Sequence, residues 1–121
     1  MSPTPAVDPK TLAAIQEMCP DDHGAFLRQL LHTYTRDAAR HVRKMKESLE
    51  HGDAEALSYA AHGLRGGSGI VGAGTLLQLT SQIESTANKG ELRHMGGLVE
   101  ACNEEFLRVK AELDAVLSRT S

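Results

Sequence analysis

At 121 residues, with a formal charge of −3 from 13 basic and 16 acidic side chains, the chain is the size of one domain and lacks the basic footprint of a nucleic-acid binder. It is 40% apolar and 24% charged, ordinary for a globular protein. Aromatic content is only 3%, with no tryptophan, so the core must be built from Leu, Ala, Val, Ile and Met, a mix that favours helices. No run approaches the roughly 18 apolar residues of a membrane span, and no basic-then-apolar leader opens the chain, so the expected setting is the cytoplasm. Cys19 and Cys102 stand far apart, form no metal or redox motif, and read as buried small hydrophobes in a reducing compartment.

Residues 1–7, Met-Ser-Pro-Thr-Pro-Ala-Val, have linker composition and are expected to be poorly ordered. Asp8-Pro9 reads as an N-cap followed by proline at the first helical position, opening a short helix to about Met18 with Leu12, Ile15 and Met18 on one side. Cys19-Pro20 stops it. Asp21 or Asp22 then caps a long helix to about His51, whose apolar residues Leu27, Leu31, Tyr34, Ala38, Val42, Met45 and Leu49 alternate spacings of three and four, the seam of an antiparallel bundle. Gly52 is the expected stop and Asp53 the next cap, so the second and third helices must pack as antiparallel neighbours. The third helix ends near Gly69 to Gly72. A fourth, from about Ala73, turns Ala73, Leu76, Leu77, Thr80, Ile83 and Ala87 inward and ends at Asn88-Lys89-Gly90. The last begins between Glu91 and Gly97 and carries Leu98, Cys102, Phe106, Val109, Leu113 and Val116 or Leu117 as its stripe. The pattern predicts an all-α protein: an up-down-up-down antiparallel four-helix bundle with a short additional N-terminal helix.

The third helix departs from ordinary helix composition. At 100° per residue, Leu57, Ala60, Ala61, Leu64, Ser68 and Val71 fall within about 100° of one another and form a core-facing stripe. His62 lies roughly 120° from the middle of that stripe and points to solvent, with Gly66 and Gly69 one and two turns further along the same face. Glycine in a helix costs about 1 kcal/mol relative to alanine. Gly63, Gly66, Gly67 and Gly69 together therefore call for a reason other than helix stability.

An imidazole is substantially neutral near pH 7 and can act as a nucleophile through its free lone pair. Arg65, at i+3, lies on the same side of the helix and carries a fork that matches phosphate oxygens. Glu84 lies at the edge of the fourth helix's stripe; with the two helices antiparallel about Gly72, it is level with His62. There it can fix one ring nitrogen and leave the other to react. The remaining histidines, His23, His32, His41, His51 and His94, lack metal-ligand spacing, and no metal site is expected. Arg40, Arg43, Lys44 and Lys46 read as a solvated face, with docking to an acidic partner surface as the sharper alternative.

The run Ala61-His62-Gly63-Leu64-Arg65-Gly66-Gly67-Ser68, followed by Gly72-Ala73, Leu76, Leu79 and Ile83-Glu84, resembles the histidine-containing phosphotransfer (HPt) family, whose pattern is roughly A-H-x-L-K-G-x-S/A, then G-A-x-x-L-x-x-L and a closing L-E. The resemblance extends to Gly52-Asp53, Phe26-Leu27 and Glu105-Phe106-Leu107-Arg108-Val109, and so covers nearly the whole chain, with 8–119 as the HPt bundle.

It implies that His62 accepts a phosphoryl group from a receiver-domain aspartate, as in a hybrid sensor kinase, and passes it to a response-regulator aspartate. Arg65 stands where the family usually has a lysine that contacts the phosphoryl group. Gly66 leaves room for the receiver, and Glu84 orients the imidazole. Gly66, Gly69, Ser58, Leu12, Ile15 and Phe26 would form the docking surface. The resemblance further implies a monomeric carrier without turnover, nucleotide site or cofactor of its own, with Mg²⁺ supplied by the receiver. It also implies no nucleic-acid or direct membrane contact; the chain would stand alone or form the C-terminal module of a membrane-bound hybrid kinase. The competing reading is a helical interaction module that binds or inhibits a partner without being phosphorylated.

Overall fold

A computed structural model describes residues 4–120. Five helices follow in order: α1 (Pro9–Glu17), α2 (Ala25–Glu50), α3 (Ala54–Ile70), α4 (Gly74–Asn88) and α5 (Met95–Thr120), and no strand occurs among the described residues. Helix α3 packs most extensively against α4 and α2, while α5 closes the bundle against those same two helices and α1 lies against α2.

The helix boundaries follow their local chemistry. Asp8 accepts from the Lys10 N–H at 2.9 Å with Pro9 in the first turn, and Asp53 accepts from Ala56 N–H at 3.0 Å. At the start of α2 the backbone N-cap is Gly24, but Asp22 supplies the side chain, accepting from the N–H groups of Gly24 and Phe26, both at 2.9 Å. Turns of three residues join α2 to α3 and α3 to α4. Each pivots on a glycine in the left-handed region, Gly52 at φ +67° and Gly72 at φ +78°, where a Cβ would be strained.

The core is aliphatic, as the low aromatic content requires. Leu27, Leu31, Met45, Leu57, Leu64, Leu76, Ile83, Val109 and Leu113 are fully enclosed, joined by Cys102 and Phe106. A buried polar contact links α2 to α3. Ser68 Oγ donates to the Leu64 carbonyl at 2.7 Å, so Tyr34 donates its hydroxyl to Ser68 Oγ at 3.1 Å. Burial pushes the Tyr34 hydroxyl up to about 12 despite that hydrogen bond.

Four expectations from the sequence need correction. Ala6 and Val7, read as linker, are buried, and their N–H groups donate to the Glu112 carboxylate at 2.7 and 3.0 Å, while Asp8 N–H donates to the Gly72 carbonyl at 3.0 Å. Residues 1–3 of that stretch lie outside the described residues. Met18 is 70% exposed, because α1 ends at Glu17 and the chain turns before Met18 can join Leu12 and Ile15. Cys19, in that same turn, is exposed; Cys102 is buried, and desolvation, with Glu105 adding to it, pushes its thiol up to about 12. In the last two helices the inward side is narrower than expected: Leu77 and Leu98 are half-buried, whereas Val99 and Met95 are fully enclosed.

Candidate functional site

The antiparallel pairing of α3 and α4 about Gly72 brings residues 62 and 84 together. Glu84 presents both carboxylate oxygens to His62 Nδ1, each at 3.2 Å. The His62 side chain remains 65% exposed, whereas Glu84 is only 17% exposed. The ring is therefore fixed from the protein side and open on the other. Arg65 folds back over this pair, with Nε at 3.4 Å from Glu84 Oε2 and Nη2 at 3.3 Å from His62 Nδ1. Beyond the ring, a Cβ added at Gly66 would meet nothing within 4 Å, and one at Gly69 only the Leu77 methyl at 3.9 Å.

The other glycines of α3 serve a different purpose. A Cβ at Gly63 would lie 2.5 Å from His41 Cε1, and one at Gly67 would lie 2.9 Å from Tyr34 Cδ1. These two glycines let α2 approach; they clear nothing for a partner. His41 sits half-buried in that contact, and its pKa is lowered by desolvation and by Arg40, with Asp37 opposing.

The expected docking residues divide. Phe26 is 39% exposed. Leu12 and Ile15 are instead core residues, each 8% exposed, because the apolar side of α1 lies down on the bundle. Ser58 is buried too; its hydroxyl donates to the Asn88 carbonyl oxygen across the α3–α4 contact, on the wall of the groove that holds His62. Sequence reasoning missed Tyr59, 80% exposed on that groove, and Ile70, 58% exposed at the end of α3. Both are apolar residues off the core stripe, three before and eight after His62, and that misplacement was the available signal. Arg40, Arg43, Lys44 and Lys46 are all exposed, with Arg40 3.5 Å from Asp37. Among the described residues, no group of three or more His, Cys, Asp or Glu side chains converges as metal ligands would, and no helix is long and apolar enough to cross a membrane.

An oriented, solvent-facing imidazole on a bare helical surface of a four-helix bundle is the architecture of a histidine phosphocarrier. Comparison with known proteins agrees. The family model described as the Hpt domain matches residues 29–119, and the chain belongs to that family. The crystal structure of histidine-containing phosphotransfer protein B (HptB) from Pseudomonas aeruginosa PAO1 is similar over 97% of this chain and 98% of its own, with 32% identity and a TM-score of 0.87. A curated relative, multistep phosphorelay regulator 1 of Schizosaccharomyces pombe, is 27% identical over 100 residues, 83% of this chain. The chain spans about a third of that relative's length. The function of the domain it carries is histidine phosphotransfer.

Proposed function

We propose that His62 is the phosphoacceptor and reacts through Nε2. The observation that carries this reading is the Glu84 carboxylate on Nδ1 of a ring whose other side is open to solvent. A carboxylate only accepts, so whenever the ring donates to Glu84 the proton is on Nδ1 and the lone pair is on Nε2. That lone pair forms the new P–N bond as the P–O bond to a receiver aspartate breaks, and the aspartate leaves as a carboxylate with the electron pair. The Nδ1 proton stays where it is, and Glu84 offsets the positive charge the ring acquires. The reverse step delivers the group to a second aspartate.

Phosphoryl transfer needs positioning and charge stabilisation more than covalent machinery. The chain supplies a nucleophile and, in Arg65, a cation within reach of the transferred oxygens. The receiver supplies its own Mg²⁺. Gly66 and Gly69 leave the surface beyond His62 low enough for the receiver to close on Nε2. In this reading the chain turns over nothing by itself and works in the cytoplasm between a hybrid kinase's receiver and a response regulator.

Incubation with a phosphorylated receiver domain tests it. The expected product carries an acid-labile, alkali-stable phosphate, lost in His62→Gln while the helical circular dichroism spectrum is unchanged. Undiminished labelling of that variant would sink the assignment.

A further inference from the structure

His62 Nδ1 has two suitors that require opposite protonation. Glu84, with both oxygens at 3.2 Å, can only accept, so it needs a proton on Nδ1. Arg65 Nη2, at 3.3 Å, can only donate, so it needs a lone pair there. One nitrogen of a neutral ring cannot satisfy both. If Arg65 holds Nδ1, the ring proton sits on Nε2 and the solvent-facing nitrogen has no lone pair with which to attack. If Arg65 withdraws, Glu84 takes the Nδ1 proton's hydrogen bond and Nε2 becomes nucleophilic.

We infer that Arg65 is a positioning residue that selects the tautomer of His62, masking Nε2 at rest and releasing it when an incoming phosphoryl anion draws the guanidinium outward. The inference rests on His62 being the phosphoacceptor. The guanidinium touches the carboxylate and the ring at once. Its Nε lies 3.4 Å from Glu84 Oε2 while Nη2 reaches the ring at Nδ1, and the side chain is still 38% exposed, so solvent leaves it room to move. Only a two-pronged head can hold the carboxylate through one nitrogen and the imidazole through another; a lysine ammonium offers one nitrogen for both. No other charged group lies in this set of contacts. Glu55, one further carboxylate on the groove wall, is separated from His62 by two helical turns. The device couples arrival of the substrate to unmasking of the nucleophile, and keeps the exposed imidazole unreactive toward stray electrophiles.

The tautomer can be read on the full, unphosphorylated chain by two-bond ¹H–¹⁵N correlation of the imidazoles at mildly alkaline pH, with no partner present. In the wild type, Nδ1 of His62 should resonate substantially as an unprotonated nitrogen. Arg65→Ala and Arg65→Lys should both move the proton onto Nδ1, and Glu84→Gln should move it toward Nε2. As a second readout, carbethoxylation of His62 Nε2 by diethyl pyrocarbonate, followed by peptide mass spectrometry, should quicken by about three- to tenfold in Arg65→Ala, the factor set by one ordinary hydrogen bond. A wild-type ring already wholly protonated on Nδ1 and unmoved by Arg65→Ala would overturn the inference, as would Arg65→Lys retaining the wild-type populations. Failure of His62 labelling by a receiver would overturn the phosphoacceptor reading and with it the release step, but not the selection of the tautomer by Arg65, because the tautomer measurement needs no phosphate.

Discussion

A Cβ built on Gly67 would press to 2.9 Å from the Tyr34 ring, whereas one built on its neighbour Gly66 would meet nothing within 4 Å. The two residues are adjacent in sequence and lie in the same helix, yet they face opposite problems. On the side of α3 turned to α2, Gly63 and Gly67 are small because another helix is already there. On the side turned to solvent, Gly66 and Gly69 leave room that nothing within the described chain uses. Helix propensity penalises both kinds alike, so composition cannot tell them apart; substitution can.

The largest effect is expected at Gly67. Tyr34 is buried and hydrogen-bonded to Ser68, so Gly67→Ala cannot be relieved by a simple ring movement. The cost of overpacking, less the gain in helix propensity, leaves a net loss of about 1–2 kcal/mol in urea unfolding. Gly66→Ala should do the reverse, stabilising the fold by about 0.5–1 kcal/mol because alanine removes the glycine penalty without a clash. The same variant should slow phosphotransfer from a receiver, so stability and rate move in opposite directions. Equal losses of stability at both positions would erase the distinction between the two faces.

The smallest effect probes the Gly63 contact. The pKa of His41 is lowered from its ordinary value of 6.5, so the unfolded chain binds that proton more readily than the folded one. Its contribution to stability is therefore complete above that value and is lost as pH falls through it. Arg40 and Lys44 on α2 and Glu55 on α3 line the adjoining groove, and Asp37 opposes the shift. His41→Gln should flatten the acid limb of a thermal-unfolding profile below about pH 6.5 relative to the wild type. An unaltered limb would mean that the ring's burial against Gly63 carries no protonation penalty.

Much of this was legible before any coordinates. The three-and-four spacing on α2, the Asp8-Pro9 and Asp53 caps and the glycine stops at 52 and 72 are local rules, and they place five helices in the observed order. The pairing of His62 with Glu84 followed from one further step, equal distance from a short turn. What stayed hidden depends on which helix lies over which residue. The linker-like letters of residues 4–7 conceal two backbone N–H groups aimed at Glu112, about 105 positions away. Leu12 and Ile15 were docking residues by family resemblance, and their pattern could not correct that, because a short amphipathic helix looks the same whether it covers a core or awaits a partner. Arg65 was readable as a cation near His62, but its reach to both the ring and the carboxylate depends on the rotamer.

The placement of the tyrosines has an optical consequence. The chain has two tyrosines and no tryptophan, so its ultraviolet emission is dominated by Tyr34 and Tyr59. One is sealed between α2 and α3; the other is 80% exposed on the groove that holds His62. A soluble quencher should therefore silence one emitter and spare the other. The spared signal reports the integrity of the bundle, and the quenchable one gives a label-free record of anything that covers the histidine.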